Sequence, residues 1–278
     1  MVALAAFTTA CSTNSNIVMA EPRGYNYLRQ HRAHDVRALL RAWRKAIKGT
    51  PFQVATPGKK DGFPLIQVGN GKPSDLPGFY VSTGLHGDEP APPWGLLEWF
   101  LQGGYKPLGN RPILLFPCLN PLGITENHRV DGKGRDLNRI FDQVKVSPIR
   151  EVRAAVKGLL FHTAICLHED YDAQGAYLYD LNRTGSDATG RALLAKATNK
   201  RLPIDGRKRI DGRKAKDGVL YRQRLDMRNI PGLPEAVFFY VNKLAERTLT
   251  FETPSEFALT DRIDAHRRFL TAAARACC

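Results

Sequence analysis

GFYVSTGLHGDEPAPPWGLLEWFLQ, residues 78–102, changes period halfway along its length. Gly78 to Gly84 is an apolar run rich in aromatic and β-branched side chains, the composition of a buried strand. A turn of small and polar residues follows it. From Pro93 to Gln102 the apolar side chains recur at helical spacing instead. Working outward, FPLIQVG (63–69), ILLFPCLN (113–120), TAICLHE (163–169), GAYLYDL (175–181), AVFFYVN (236–242) and TLTFETP (248–254) are each strand-length and β-prone. Helical patterns lie between several of them, at Ile149–Phe161, Ala188–Arg201 and from Leu259 to the C-terminus. A further amphipathic helix, Tyr27–Lys48, sets Val36, Leu39, Leu40, Trp43 and Ile47 on one face. This alternation predicts an α/β layer structure with a mixed sheet.

The chain has 278 residues, 43% of them hydrophobic and 24% charged, which excludes wholesale disorder. No run of about eighteen apolar residues occurs, so no membrane span is expected. The first residues, MVALAAFTTAC, join an apolar stretch to Cys11 but lack a basic segment. Residues 1–22 are therefore assigned to a flexible extension, with an export or lipid-attachment signal as the alternative. Residues 23–278 are assigned to a single catalytic domain. Five cysteines without a CxxC pair argue against a cysteine zinc site and for a reducing, cytoplasmic setting. Cys118 and Cys166 sit in apolar runs and are expected to be buried thiols.

Charge is the unusual feature. The net value is +14, and twelve basic against four acidic residues between Lys196 and Arg228 put +8 of it in one connection. The repeated IDGRK at Ile204 and Ile210 marks this connection as an exposed loop region. A nucleic-acid reading is set aside because Tyr221 is the only aromatic in it, and stacking platforms are absent. A basic rim that draws in an anionic substrate is the alternative.

Four constellations carry chemistry. His86 and Glu89, three apart after a strand, can face one metal ion if the backbone turns helically there. Read alone, they also fit a solvated turn. His168 ends TAICLHE beside Glu169 and Asp170; alone it fits a surface ion pair, but with His86 and Glu89 it completes a His–Glu–His set with room for water. In NPLGITENHRVDGKGRDLNRIFD (120–142), Asn138 and Arg139 offer donors suited to a carboxylate, with Arg129 a second fixed cation. Glu252, a carboxylate in the strand-like TLTFETP, is costly there unless paired or functional, and is the candidate general base.

HGDE, NP-G with a downstream Arg, DLNRIF, LHED and ETPS follow one another in the order found in zinc carboxypeptidases of the carboxypeptidase A type. The chain resembles that family from about Phe63 to Phe257. The resemblance implies a mixed eight-stranded twisted sheet flanked by helices on both faces. It implies one zinc ion held by His86, Glu89 and His168, with Asp136 orienting a ligand histidine. Arg129 would stabilise the oxyanion, Asn138 and Arg139 would hold the substrate's terminal carboxylate, and Glu252 would be the base for water activated at zinc. Among family members, short bacterial proteins similar to murein-peptide amidases look nearest, which implies a peptidoglycan-type peptide substrate. A second branch, similar to aspartoacylase and succinylglutamate desuccinylase, shares the DLNRIF-like segment and deacylates amino acids. The seven positions from Arg129 to Asp136 and the ETPS ending favour the peptidase branch. One departure stands out: no tyrosine matches the family's mobile active-site Tyr, since Tyr221 and Tyr240 lie at the wrong distance from Glu252.

Overall fold

The structure, a computed structural model, describes residues 33–71 and 75–277. The assignment of residues 1–22, the first turns of the helix expected from Tyr27, and Cys11 and Cys278 lie outside the described residues. The chain opens with α1 (Val36–Ala46), capped by the Asp35 carboxylate, which accepts from the Ala38 amide at 2.8 Å. There follow β1 (Gln53–Lys60), β2 (Phe63–Gly69), β3 (Gly78–Ser82), α2 (Ala91–Leu101), β4 (Ile113–Phe116), α3 (Pro121–Glu126) and α4 (Ile149–Val156). The second half holds β5 (Phe161–Asp170), β6 (Tyr177–Asn182), α5 (Ala188–Ala197), β7 (Arg209–Ile210), β8 (Arg213–Lys214) and β9 (Val219–Arg222). It closes with α6 (Glu235–Val241), β10 (Ala245–Pro254) and α7 (Leu259–Ala276).

Eight strands form one mixed sheet in the order β1-β2-β4-β3-β5-β10-β6-β9. The central β4, β3, β5 and β10 run parallel, while β1–β2, β2–β4 and β10–β6 pair antiparallel. The central strands are buried on both faces because their side chains alternate between two cores. Phe79 and Val81 of β3 join the core beneath α1, α2, α5 and α7, whereas Tyr80 joins the core beneath α4 and α6. The expected eight-stranded α/β architecture is thus the observed one.

Three local expectations change. AVFFYVN is α6 rather than a strand: Pro234 opens it, and all its residues from Ala236 to Tyr240 are buried, so no period distinguishes helix from strand. β1 escapes a pattern reading because Pro57 and Gly58 interrupt it; it is an edge strand with a register shift between Ala55 and Gly58. The basic connection is more ordered than a loop, since β7 and β8 pair as a short hairpin and β9 adds to the edge of the main sheet alongside β6.

Candidate active site

β3, β5 and β10 run in the same direction, so their carboxyl ends open on one edge of the sheet, where α/β folds place their ligands. The turn after β3 is pinned there by backbone bonds: Thr83 N–H to Phe116 O at 3.0 Å and Asn120 N–H to Gly84 O at 2.7 Å. Gly87 sits so close to the next segment that a Cβ would lie 2.0 Å from the Gly123 carbonyl carbon, so only glycine fits. Asn120 caps α3 and reaches on to the Val130 carbonyl at 3.1 Å, holding the Arg129 segment against the turn.

On this frame His86, Glu89 and His168 converge, with one candidate ligand atom from each within 4.8 Å of the others. All three are buried. His86 Nδ1 faces Glu89 Oε1 at 2.6 Å, and His168 Nδ1 faces Glu89 Oε2 at 2.8 Å. His86 turns its other nitrogen, Nε2–H, to Asp136 Oδ1 at 3.1 Å. That bond places a ring proton on Nε2 and turns Nδ1 toward the carboxylate, where either a proton or a metal ion can lie between them. Two imidazole nitrogens and a carboxylate directed at one another in a buried spot need a positive species among them, and a His₂Glu donor set suits zinc. The donors therefore fit the metal.

Electrostatics agree with this clustering. Burial pushes the His86 ring down, but the Glu89 charge and the bonds to Asp136 and Glu89 outweigh it and raise its pKa to about 9. Burial pushes Glu89 up, yet the two histidines hold it well below the usual carboxylate range. Asp136 is held low in the same sense by His86 and Arg129. It accepts from Arg129 Nε at 3.2 Å and from the Asn138 amide at 2.9 Å, the second bond capping the tight turn Leu137–Arg139. Arg129 Nη1 also lies 3.8 Å from Glu89.

Glu252 is the register partner of His168 on β10. Burial raises its carboxyl to about 8, against the pull of His168 and with help from Glu89, Asp170 and Asp211. Asn138 Oδ1 accepts the Glu235 amide at 2.9 Å, so the group it has left to offer is its NH₂. A cleft of about 1000 Å³ is lined by His86, Glu89, Arg129, Asn138, Arg139 and Glu252, and Asp136 and His168 contact its lining residues His86 and Glu89. All eight residues singled out in the sequence are brought to this one place.

The other described histidines lie outside this group. His266 is fully buried in α7 with Nε2 3.0 Å from Thr253 Oγ1, and burial lowers its pKa to about 3. His34 is half-buried and donates to the Ile124 carbonyl at 2.7 Å. His128 is exposed, and His162 lies at the far end of β5 beside Cys277 Sγ at 3.2 Å. Cys118 and Cys166 are buried free thiols. Sequence reasoning missed Glu169, Tyr177 and Tyr179. Tyr177 donates to Asp170 at 2.9 Å and Tyr179 donates to Asp211, and both rings line the cleft. Their alternation on β6 was the available signal, since Tyr177 pairs with Glu252 and Tyr179 with Thr250.

The fold is a mixed eight-stranded α/β sheet of the carboxypeptidase-like kind. A family model for the succinylglutamate desuccinylase/aspartoacylase catalytic domain matches residues 75–159, less than half of the chain, and takes in every site residue up to Arg139. Among solved structures, a candidate metallopeptidase from Shewanella denitrificans superposes with TM-score 0.73 at 22% identity, covering 88% of this chain and 91% of its own. One from Shewanella baltica does so with TM-score 0.74 at 20% identity, covering 88% and 94%. A metallo-carboxypeptidase from Burkholderia cenocepacia gives 0.65 at 14% identity, covering 87% and 68%. At these identities the structures show the shared fold. No curated protein matches the sequence.

Proposed function

We propose that this protein is a zinc-dependent hydrolase that cleaves an amide bond next to a free carboxylate, within one catalytic domain spanning residues 23–278. The supporting observation is the convergence of a His₂Glu donor set, a strand-borne carboxylate and an Asn–Arg pair on a single cleft. Held by His86, Glu89 and His168, zinc supplies Lewis acidity, which acidifies water and polarises a carbonyl. Glu252 takes a proton from the attacking water on its carboxylate and returns it to the leaving nitrogen. Arg129 offers its guanidinium to the charge that develops on the carbonyl oxygen. The Asn138 amide and the Arg139 guanidinium grip the terminal carboxylate. Asp136 keeps His86 in the tautomer and orientation that ligation requires.

The substrate is read as anionic. Arg213, Arg222 and Arg224 line the cleft, and among the described residues none has a carboxylate within 4.0 Å, whereas Arg207 and Arg228 of the same connection are neutralised by Asp205 and Asp226. Peptides of the γ-glutamyl kind fit this charge. A second reading, deacylation of an N-acyl amino acid, is favoured by the family model that matches residues 75–159.

Metal analysis of the purified protein, followed by a panel of dipeptides, γ-glutamyl peptides and N-acetyl and N-succinyl amino acids, separates the two. One zinc per chain and turnover of free-carboxylate peptides are expected. Turnover of the acyl amino acids alone would replace the peptidase reading by the deacylase one. Glu252→Gln should keep its zinc and lose about 10²–10⁴-fold in kcat; near-normal turnover removes Glu252 from the mechanism.

A further inference from the structure

Beside the ligand cluster lies a carboxylate that the proposed chemistry does not use. Glu169 follows His168 on β5 at the wall of the cleft, and its side chain has no exposed surface. Three donors hold it. Its Oε2 accepts the Ala91 amide at 2.9 Å, and its Oε1 accepts Arg262 Nη1 at 2.5 Å and Thr253 Oγ1 at 3.3 Å. Those partners are not scattered over the molecule. Ala91 begins α2 two residues after Glu89, and Thr253 is the residue after Glu252. Arg262 comes from α7, which packs against α2 and β10.

We infer that Glu169, locked by Arg262, is a positioning residue that sets His168, Glu89 and Glu252 in register with one another. It is joined to His168 by one peptide bond, to the Glu89 segment through the Ala91 amide, and to Glu252 through its neighbour Thr253. The three segments come from different parts of the chain; the backbone ladder joins β5 to β10 through Glu252 and His168, but joins β5 to β3 only as far as Ser82. The Glu89 turn leaves β3 beyond that register, and the Ala91 bond holds the far side of the turn to β5. Thr253 is itself held by His266 Nε2 at 3.0 Å, while His266 Nδ1 has no hydrogen-bond partner among the described residues. That pattern puts the ring proton on Nε2, donating to the Thr253 oxygen, and leaves the threonine hydroxyl hydrogen for Glu169. One carboxylate thus carries the alignment, and one arginine neutralises it without entering the cleft, since Arg262 is not among the residues that line it.

The inference rests on the proposed reading of His86, Glu89 and His168 as metal ligands, and its test has a readout that does not need turnover. In the zinc-loaded protein, Glu169→Gln keeps the shape but removes the charge and replaces one acceptor oxygen by a donor. Zinc affinity, measured by chelator competition, should fall about 10–100-fold, the scale of lost support behind a metal ligand. Kcat should fall with KM little changed.

Because breaking a buried pair on one side also destabilises the fold, the decisive comparison is the double variant Glu169→Gln/Arg262→Met. It removes both charges, so thermal stability should return towards wild type while zinc affinity and kcat stay low. Recovery of zinc affinity and kcat together with stability would show a purely structural role and overturn the inference. So would wild-type affinity and kcat in Glu169→Gln alone. If the wild-type protein bound no zinc, the ligand reading itself would fail, an outcome distinct from either of these.

Discussion

The two ends of the cleft manage charge in opposite ways. At the end where β3, β5 and β10 stop, three of the acids are held by partners from the chain itself. Glu89 is shared by two histidines, Asp136 holds His86, Arg129 and a backbone amide, and Glu169 holds Arg262, Ala91 and Thr253. At the β9 end, among the described residues, arginines 213 and 222 donate only to backbone carbonyls, of Asn229 and Tyr221, which orient a guanidinium without neutralising it. Among the described residues neither guanidinium has a carboxylate within 4.0 Å: Asp226 is taken by Arg228, and Asp211 accepts from Tyr179. Saturated charge fixes geometry, which ligation and proton transfer require. Unsaturated charge waits for a counter-charge from outside, which recognition requires.

The largest expected effect tests the saturated end. His168→Ala removes one of three ligands, and bound zinc after dialysis should drop from one per chain to a small fraction of that; unchanged stoichiometry would exclude His168 and dissolve the contrast. A smaller effect is expected at the other end. Arg222→Ala should lower kcat/KM for anionic substrates by about 3–10-fold and flatten its dependence on ionic strength, as loss of steering does. Arg207→Ala, already neutralised by Asp205, should change neither, and equal effects of the two would mean that position on the cleft is irrelevant.

The smallest effect sharpens the rule by carrying it away from the cleft. Glu98 is buried in α2, and among the described residues its Oε1 has no hydrogen-bond partner. Burial raises its carboxyl from 4.5 to about 7, opposed by Arg267 and aided by Asp264. The folded protein therefore binds this proton more tightly than the unfolded chain does. Its contribution to stability is complete below about pH 4.5 and is lost as pH rises through 7. Glu98→Gln should be more stable than wild type at pH 8 by roughly 1–3 kcal/mol and nearly equal to it at pH 5. Urea unfolding at the two pH values reads this out, and the same difference at both would refute it.

Much of this molecule was legible residue by residue. FPLIQVG is β2 to the residue, and the strand, turn and helix of residues 78–102 appear as β3, the His86 turn and α2. Such segments are legible because a strand buried on both faces needs a continuous apolar run. AVFFYVN failed for the same reason in reverse, since a helix buried all round has no polar face to reveal its period. Of the basic connection, arginines 213, 222 and 224 line the cleft. Charge counts locate a basic segment, but the β7–β8 hairpin and the addition of β9 to the sheet decide which side chains turn inward.

By itself the sequence determined the α/β layering and singled out the eight candidate site residues. The layering follows from period and composition; seven of the residues follow from the donor chemistry of histidine, carboxylate, amide and guanidinium groups, and Asp136 from the family resemblance that their motifs carry. Only the tertiary structure decided what stands behind and opposite them. Glu169 reads locally as one more acid at a strand end, and His266 as one more polar residue in a helix. Their roles depend on Ala91, Thr253 and Arg262, partners from distant parts of the chain. A buried polar group takes its meaning from the groups that satisfy it.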